Sequence, residues 1–178
     1  MDGVLFNKMS HREDLIRLIG QDEYEKLDNL IPDKIKQDTI VNFSDYLLSK
    51  SEQEILNFYS DLINNNQQWT IPKIAGSVVI LTSHVHDLLI RLVQKKETNQ
   101  SVINKVTHFD LHCLIIYCTA KYKIPNDYFI PMMELKHFRN MIAHDFNGIM
   151  ETSFNQAIHP IAKGHLLIIV LTQMTRDG

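Results

Sequence analysis

The chain has 178 residues, 44% apolar and 22% charged, a balance that excludes a disordered polypeptide and suits one domain with a real core, or a core plus a helical extension. Its net charge of −3 and pI of about 6.3 exclude a protein that coats nucleic acid through one large basic surface, while leaving room for a local basic site. Cys113 and Cys118 are too few for a disulfide framework and fit a reducing cytoplasm.

Helix signals dominate from the start of the chain. Residues 1–14 hold no apolar run of signal-peptide length. Ser10 and Glu13 form a capping box, and Leu15, Ile16, Leu18 and Ile19 then give a short apolar face that ends at Gly20. Asp22 to Leu30 reads as a second short helix, stopped by Pro32. Ser51 and Glu54 make another capping box, followed by apolar residues at helical spacing from Ile55 to Ile63 and a polar break at Asn64–Asn66. Trp69 sits at the join to the next part of the chain and reads as a packing anchor.

Pro72 suits the first turn of a long helix reaching about Gln94, with Ile74, Val78, Leu81, Val85, Leu88, Leu89 and Leu92 near a 3.6 period. Lys95 to Asn99 reads as a linker. Ser101 is the expected cap of a helix running to about Lys121. Pro125-Asn126-Asp127 reads as a turn, and a further helix spans about Tyr128 to Phe146. Thr152 or Ser153 opens the last helical region, in which Pro160 either makes a kink or begins the main part. The most apolar run, Leu166–Leu171, is only six residues long, so no membrane span is expected. No alternating strand pattern stands out. The expected fold is all-α, a four-helix up-down bundle over residues 69–178 with an N-terminal extension of short helices over 1–68.

The segment that carries chemistry runs from Glu134 to Phe146 and places Arg139, Asn140 and His144 within six residues. Arginine is permanently charged and presents a planar fork to phosphate. Histidine takes or gives a proton near neutral pH, and asparagine orients either by hydrogen bonding. Together they suit cleavage of an RNA phosphodiester, with histidine activating the 2′-hydroxyl or protonating the leaving oxygen. The chain shows no evident carboxylate cluster, so a metal-free reaction is expected. On a straight helix Asn140 and His144 share a face, whereas Arg139 and His144 lie roughly 140° apart. Two copies meeting in a symmetric dimer, each cleft taking groups from both chains, resolve that mismatch; so does a kink near the motif.

The string Phe138-Arg-Asn-Met-Ile-Ala-His144-Asp-Phe146 resembles the signature of the HEPN superfamily, Arg-x4–6-His, often with a polar residue after the arginine and placed late in a four-helix bundle. The resemblance covers residues 70–176, about 60% of the chain. It implies an all-α fold, a homodimer formed through the motif helix, and a metal-independent endoribonuclease without cofactor, with Arg139 and His144 as the catalytic pair and Asn140 in support. It also implies a toxin of a toxin–antitoxin pair or an antiviral defence effector, with an antitoxin or regulatory protein as a second partner. One toxin branch carries a modified tyrosine two positions after the histidine; Phe146 stands there, which argues against such modification. Polar residues on the first bundle helix of such proteins often face the motif, so Asp87 is expected beside it, and His137, seven before His144 and on nearly the same face, is expected to contact RNA.

Other readings remain beside this one. Some HEPN-like modules bind without cutting, and bacterial regulators described as mannitol-operon repressors carry a similar Arg-Asn-x-x-Ala-His string. The acidic charge and the extension over 1–68 suit such a protein- or nucleic-acid-binding regulator. His108 and His112, four apart on one expected helix, have a spacing that holds zinc, although no HExxH pattern is present. His84 and Asp87 are spaced to pair on one helix face. Cys113 and Cys118 read as core thiols, and the lysines at helix ends as solvated charges.

Overall fold

A computed structural model describes residues 3–31, 71–144 and 154–176, and the side chains of residues 11–31, 74–142 and 160–176 within them. All the described elements are helices: α1 (Gly3–Ile19), α2 (Gln21–Leu30), α3 (Ile71–Lys96), α4 (Gln100–Val106), α5 (Leu111–Tyr122), α6 (Asn126–His144) and α7 (Phe154–Arg176). The fold is therefore all-α, as the periodicity implies. The capping box at Ser51, Trp69, Pro32 and Phe146 lie outside the described residues.

Several boundaries differ from the sequence reading, each for a local reason. Helix α1 runs straight through Ser10, which is therefore no cap. It ends at Gly20, whose φ of 90° and ψ of 153° belong to a region that only glycine occupies without strain. The Gly20 carbonyl then accepts from Tyr24 N–H and starts α2. The single helix expected over 101–121 is two helices, because the chain turns at Thr107–Phe109 and Asp110 caps a new start by accepting from the Cys113 N–H at 2.8 Å. The cap of α4 is Asn99, whose side chain accepts from Ser101 and Val102 N–H. Asn126 and Asp127 form the first turn of α6, with Pro125 O accepting from Tyr128 and Phe129 N–H. Pro131 and Pro160 both lie inside helices.

Helix α5 is the centre of the packing. Every residue from Cys113 to Ala120 is buried, the signature of a helix enclosed on all sides. Helices α1 and α2 cover one part of it, α3 and α6 another. Leu15, Tyr24 and Leu27 of the N-terminal pair join the same apolar cluster as Val85, Leu89, Leu114 and Leu135. The N-terminal helices thus share one core with the rest of the described chain.

Helix α3 makes its most extensive contact with α7, and α6 packs against both. Gly164 permits the close approach of α7 to α3, since a Cβ there would lie 3.0 Å from Leu81 Cδ1. The stretch Ile74–Lys96 is, by length and composition, long and apolar enough to cross a membrane. Its apolar stripe of Ile74, Val78, Leu81, Val85, Leu89 and Leu92 is instead inserted in the protein core, where a central helix places such residues.

One ion pair is buried in this packing. Lys163 on α7, only 5% exposed, donates to Glu134 Oε2 on the motif-bearing helix α6. A buried charge that loses its partner pays its desolvation without compensation. Lys163→Ala is expected to lose on the order of 3–5 kcal/mol in urea denaturation. The double replacement Lys163→Met with Glu134→Leu should retain most of the wild-type stability, because no charge is then left unpaired.

Candidate functional site

A cleft of about 930 Å³ opens between the N-terminal helices and the motif helix. Three helix faces form most of its wall. On α3, Val79, Thr82, Ser83 and His86 recur at one-turn spacing, with Asp87 beside them. On α6, Lys136, Arg139 and Asn140 are three and four residues apart and point the same way. The first turn of α5 supplies Asp110 to Cys113. Arg12 of α1 and Tyr24 of α2 complete it.

The structure brings Arg139, Asn140 and Asp87 to this one cleft. Arg139 is exposed, and its Nη1 donates to Asn140 Oδ1 at 3.0 Å. Among the described residues no carboxylate pairs with Arg139. His137 is exposed and does not line the cleft; partial burial and the neighbouring Lys136 push its imidazole below the ordinary range. His144 is the last residue of α6, and its side chain lies outside the described residues. Asp87 does not pair with His84 as its spacing suggested. Its Oδ1 lies 3.7 Å from His86 Nδ1, an ion pair only when that ring is protonated.

Charge is concentrated here. Among the described residues, the cleft is lined by the basic side chains of Arg12, Lys136 and Arg139 and by the carboxylates of Asp87 and Asp110, on a chain whose net charge is −3. Asp110 is already committed as the α5 cap. Thr82 donates its hydroxyl to the Val78 carbonyl of its own helix. Burial raises the Cys113 thiol to about 12 and raises that of Cys118 too, so both are inert core thiols.

The sequence reading missed Arg12, Tyr24 and Lys136, gave His86 no role, and weighed His108 and His112 as a zinc-spaced pair of which one or both could line the cleft; of the two, His112 does. The turn at Thr107–Phe109 takes those two histidines off a common helix. His108 is exposed and its Nδ1 lies 2.6 Å from the Asn104 carbonyl, while His112 Nδ1 lies 3.4 Å from Lys136 Nζ on the cleft wall. Among the described residues no group of three His, Cys, Asp or Glu is gathered to hold a metal ion. The one available signal was for Lys136, which stands three residues before Arg139 and so shares its face.

Compared with family models, curated proteins and solved structures, the chain matches none.

His112 gives the site a pH dependence. Desolvation by burial, then the charge of Lys136, lowers its pKa below the ordinary 6.5, against smaller opposing effects of Asp110 and Asp28. The unfolded chain therefore takes up the proton first as pH falls, and folded stability is lost through the window below about 6.5. Above that value the ring is neutral in both states and carries no such penalty. The stability of wild type relative to His112→Gln should accordingly hold level above pH 6.5 and decline as pH falls below it, as measured by urea denaturation across a pH series.

Proposed function

We propose that the chain is a metal-independent endoribonuclease of HEPN type that cleaves single-stranded RNA. The observation that carries this reading is the opening of Arg139 and Asn140 onto a large cleft in which, among the described residues, basic side chains outnumber carboxylates, on a chain that is acidic as a whole. Phosphate is the ligand such a site favours. In this reading α3, α4 with α5, α6 and α7 correspond to the four helical segments of an up-down bundle, and the motif lies on the third.

His144 removes the proton from a ribose 2′-hydroxyl, whose oxygen attacks the adjacent phosphorus. The bond from phosphorus to the 5′-oxygen breaks and that oxygen is protonated. The products are a 2′,3′-cyclic phosphate and a 5′-hydroxyl end. Arg139 stabilises the charge that develops on the phosphoryl oxygens, Asn140 holds the guanidinium through the 3.0 Å contact, and Asp87 is a positioning residue on the same cleft. Since Arg139 and His144 point about 140° apart on a straight helix, a homodimer through the motif helix would complete each cleft with groups from both chains. Exposed Val79 and Ile80 on α3 leave an apolar patch at the cleft edge that suits such a contact. A cytoplasmic toxin or antiviral effector, held in check by a protein partner, is the setting this activity fits.

The wild type should cleave labelled single-stranded RNA in EDTA, and an Arg139→Ala/His144→Ala double variant that still folds and dimerises should not. His144→Ala alone should slow cleavage roughly 10²–10⁴-fold, the range of one general acid–base group. Unchanged cleavage by that variant would remove His144 from the mechanism. Absence of cleavage by the wild type would favour a regulator that binds without cutting.

A further inference from the structure

Arg12 lies far from the motif in sequence, yet it reaches the same cleft. Its position is fixed by its neighbours on α1. His11 Nδ1 accepts from the Asp110 N–H at 3.3 Å, and the His11 ring packs on Phe109 with centroids 5.7 Å apart. Asp14 accepts from Lys105 Nζ at 2.9 Å, and Leu15 is fully buried. The helix is therefore pinned on both sides of Arg12, to the start of α5 through His11 and to the end of α4 through Asp14. The guanidinium itself sits over the Tyr24 ring, 5.1 Å from its centroid, an arrangement that holds the side chain without consuming its charge. Among the described residues Arg12 has no carboxylate ion pair.

Arg12 faces a matching group across the cleft. Lys136 Nζ lies 3.4 Å from His112 Nδ1. With Nδ1 accepting from the ammonium group, the ring proton resides on Nε2, which makes His112 a neutral donor. The charge of Arg12 is felt at His112 and at Cys113, which places it at the same end of α5. Of the carboxylates whose charge reaches His112, Asp110 is engaged by its cap and Asp28 accepts from the Tyr24 hydroxyl at 3.5 Å; Asp87 lies on the α3 wall beside His86. Lys136 and Arg139 are one helical turn apart on α6, roughly 5–6 Å between their Cβ atoms, close to one step along an extended nucleotide strand. A cleft of about 930 Å³ would be left mostly empty by a single phosphate, since cavities of roughly 300–1,000 Å³ enclose whole drug-sized ligands.

We infer that Arg12, Lys136 and His112 form a second phosphate subsite that holds the phosphodiester next to the one at Arg139 on the same RNA strand. The inference rests on the ribonuclease reading for the identity of the strand, and it gives α1 a direct part in substrate binding. Each cation that neutralises a phosphate on a single strand contributes about 0.7 to the slope of log affinity against log salt.

The test uses the full chain and a short fluorescein-labelled oligouridylate with 2′-O-methyl groups, which binds but cannot be cut by 2′-hydroxyl attack. Fluorescence anisotropy across a salt series reads affinity and slope. Arg12→Gln should bind several-fold more weakly, with a slope reduced by about 0.7. Arg12→Lys keeps the charge and should keep the wild-type slope. Arg91→Gln, an equal change of charge at an exposed position of α3 outside the cleft, should leave both unchanged. A wild-type slope in Arg12→Gln, an equal loss in Arg91→Gln, or no binding by the wild type would overturn the subsite. Cleavage of an unmodified oligouridylate in EDTA is scored separately. No cleavage, together with Arg12-dependent binding, would remove the nuclease reading and leave the subsite standing.

Discussion

The enclosure of α5 is the constraint on which the rest of the described structure depends. Its run from Cys113 to Ala120 offers apolar surface in every direction, so helices must cover it on all sides. The long helices α3 and α6 cover part of it, and α1 and α2 cover what they leave. The first turn of α5 consequently lies between the N-terminal helices and the motif helix. The cleft at that junction takes Arg12 and Tyr24 from one side and Arg139 and Asn140 from the other. A packing requirement thus accounts for why an arginine near the start of the chain and the Arg-Asn pair near its end share one opening.

Electrostatics divide the same way. The chain is acidic overall, yet among the described residues the cleft gathers three basic side chains against two carboxylates. Helix α6 carries two kinds of charge on two faces. Glu134 turns inward to the buried Lys163 and ties the helix to α7, while Lys136 and Arg139 turn to the cleft. The buried Lys163 charge is held by its partner on one face, and the exposed Arg139 guanidinium opens to the cleft on the other. The motif helix is held by its neighbours where it must be rigid and open where a ligand would enter.

Much of this was legible in the sequence, and the failures have physical causes. The helical class and the course of α2 and α3 follow from spacing alone, because long amphipathic stripes such as Ile74 to Leu92 are a strong signal. The break at Thr107–Phe109 was hidden because no glycine or proline marks it; its trace was Asp110, a good cap residue three positions before Cys113. Ser10 looked like a cap, yet α1 passes through it. At the site, Arg139, Asn140 and Asp87 were nameable because motif and helix position pointed to them. Arg12 was not, since its place depends on a tertiary contact between α1 and α5 that no local pattern encodes. His112 was visible through its spacing from His108, but the helix that would join the two does not exist, and His112 alone lines the cleft.

The central claim is chemical: that the Arg139 cleft serves attack by a ribose 2′-hydroxyl. The most direct measurement is mass spectrometry of the RNA ends left after incubation with the wild-type chain in EDTA. The account predicts a 2′,3′-cyclic phosphate on one fragment and a 5′-hydroxyl on the other. Intact RNA, or fragments bearing a 3′-hydroxyl and a 5′-phosphate, would contradict it.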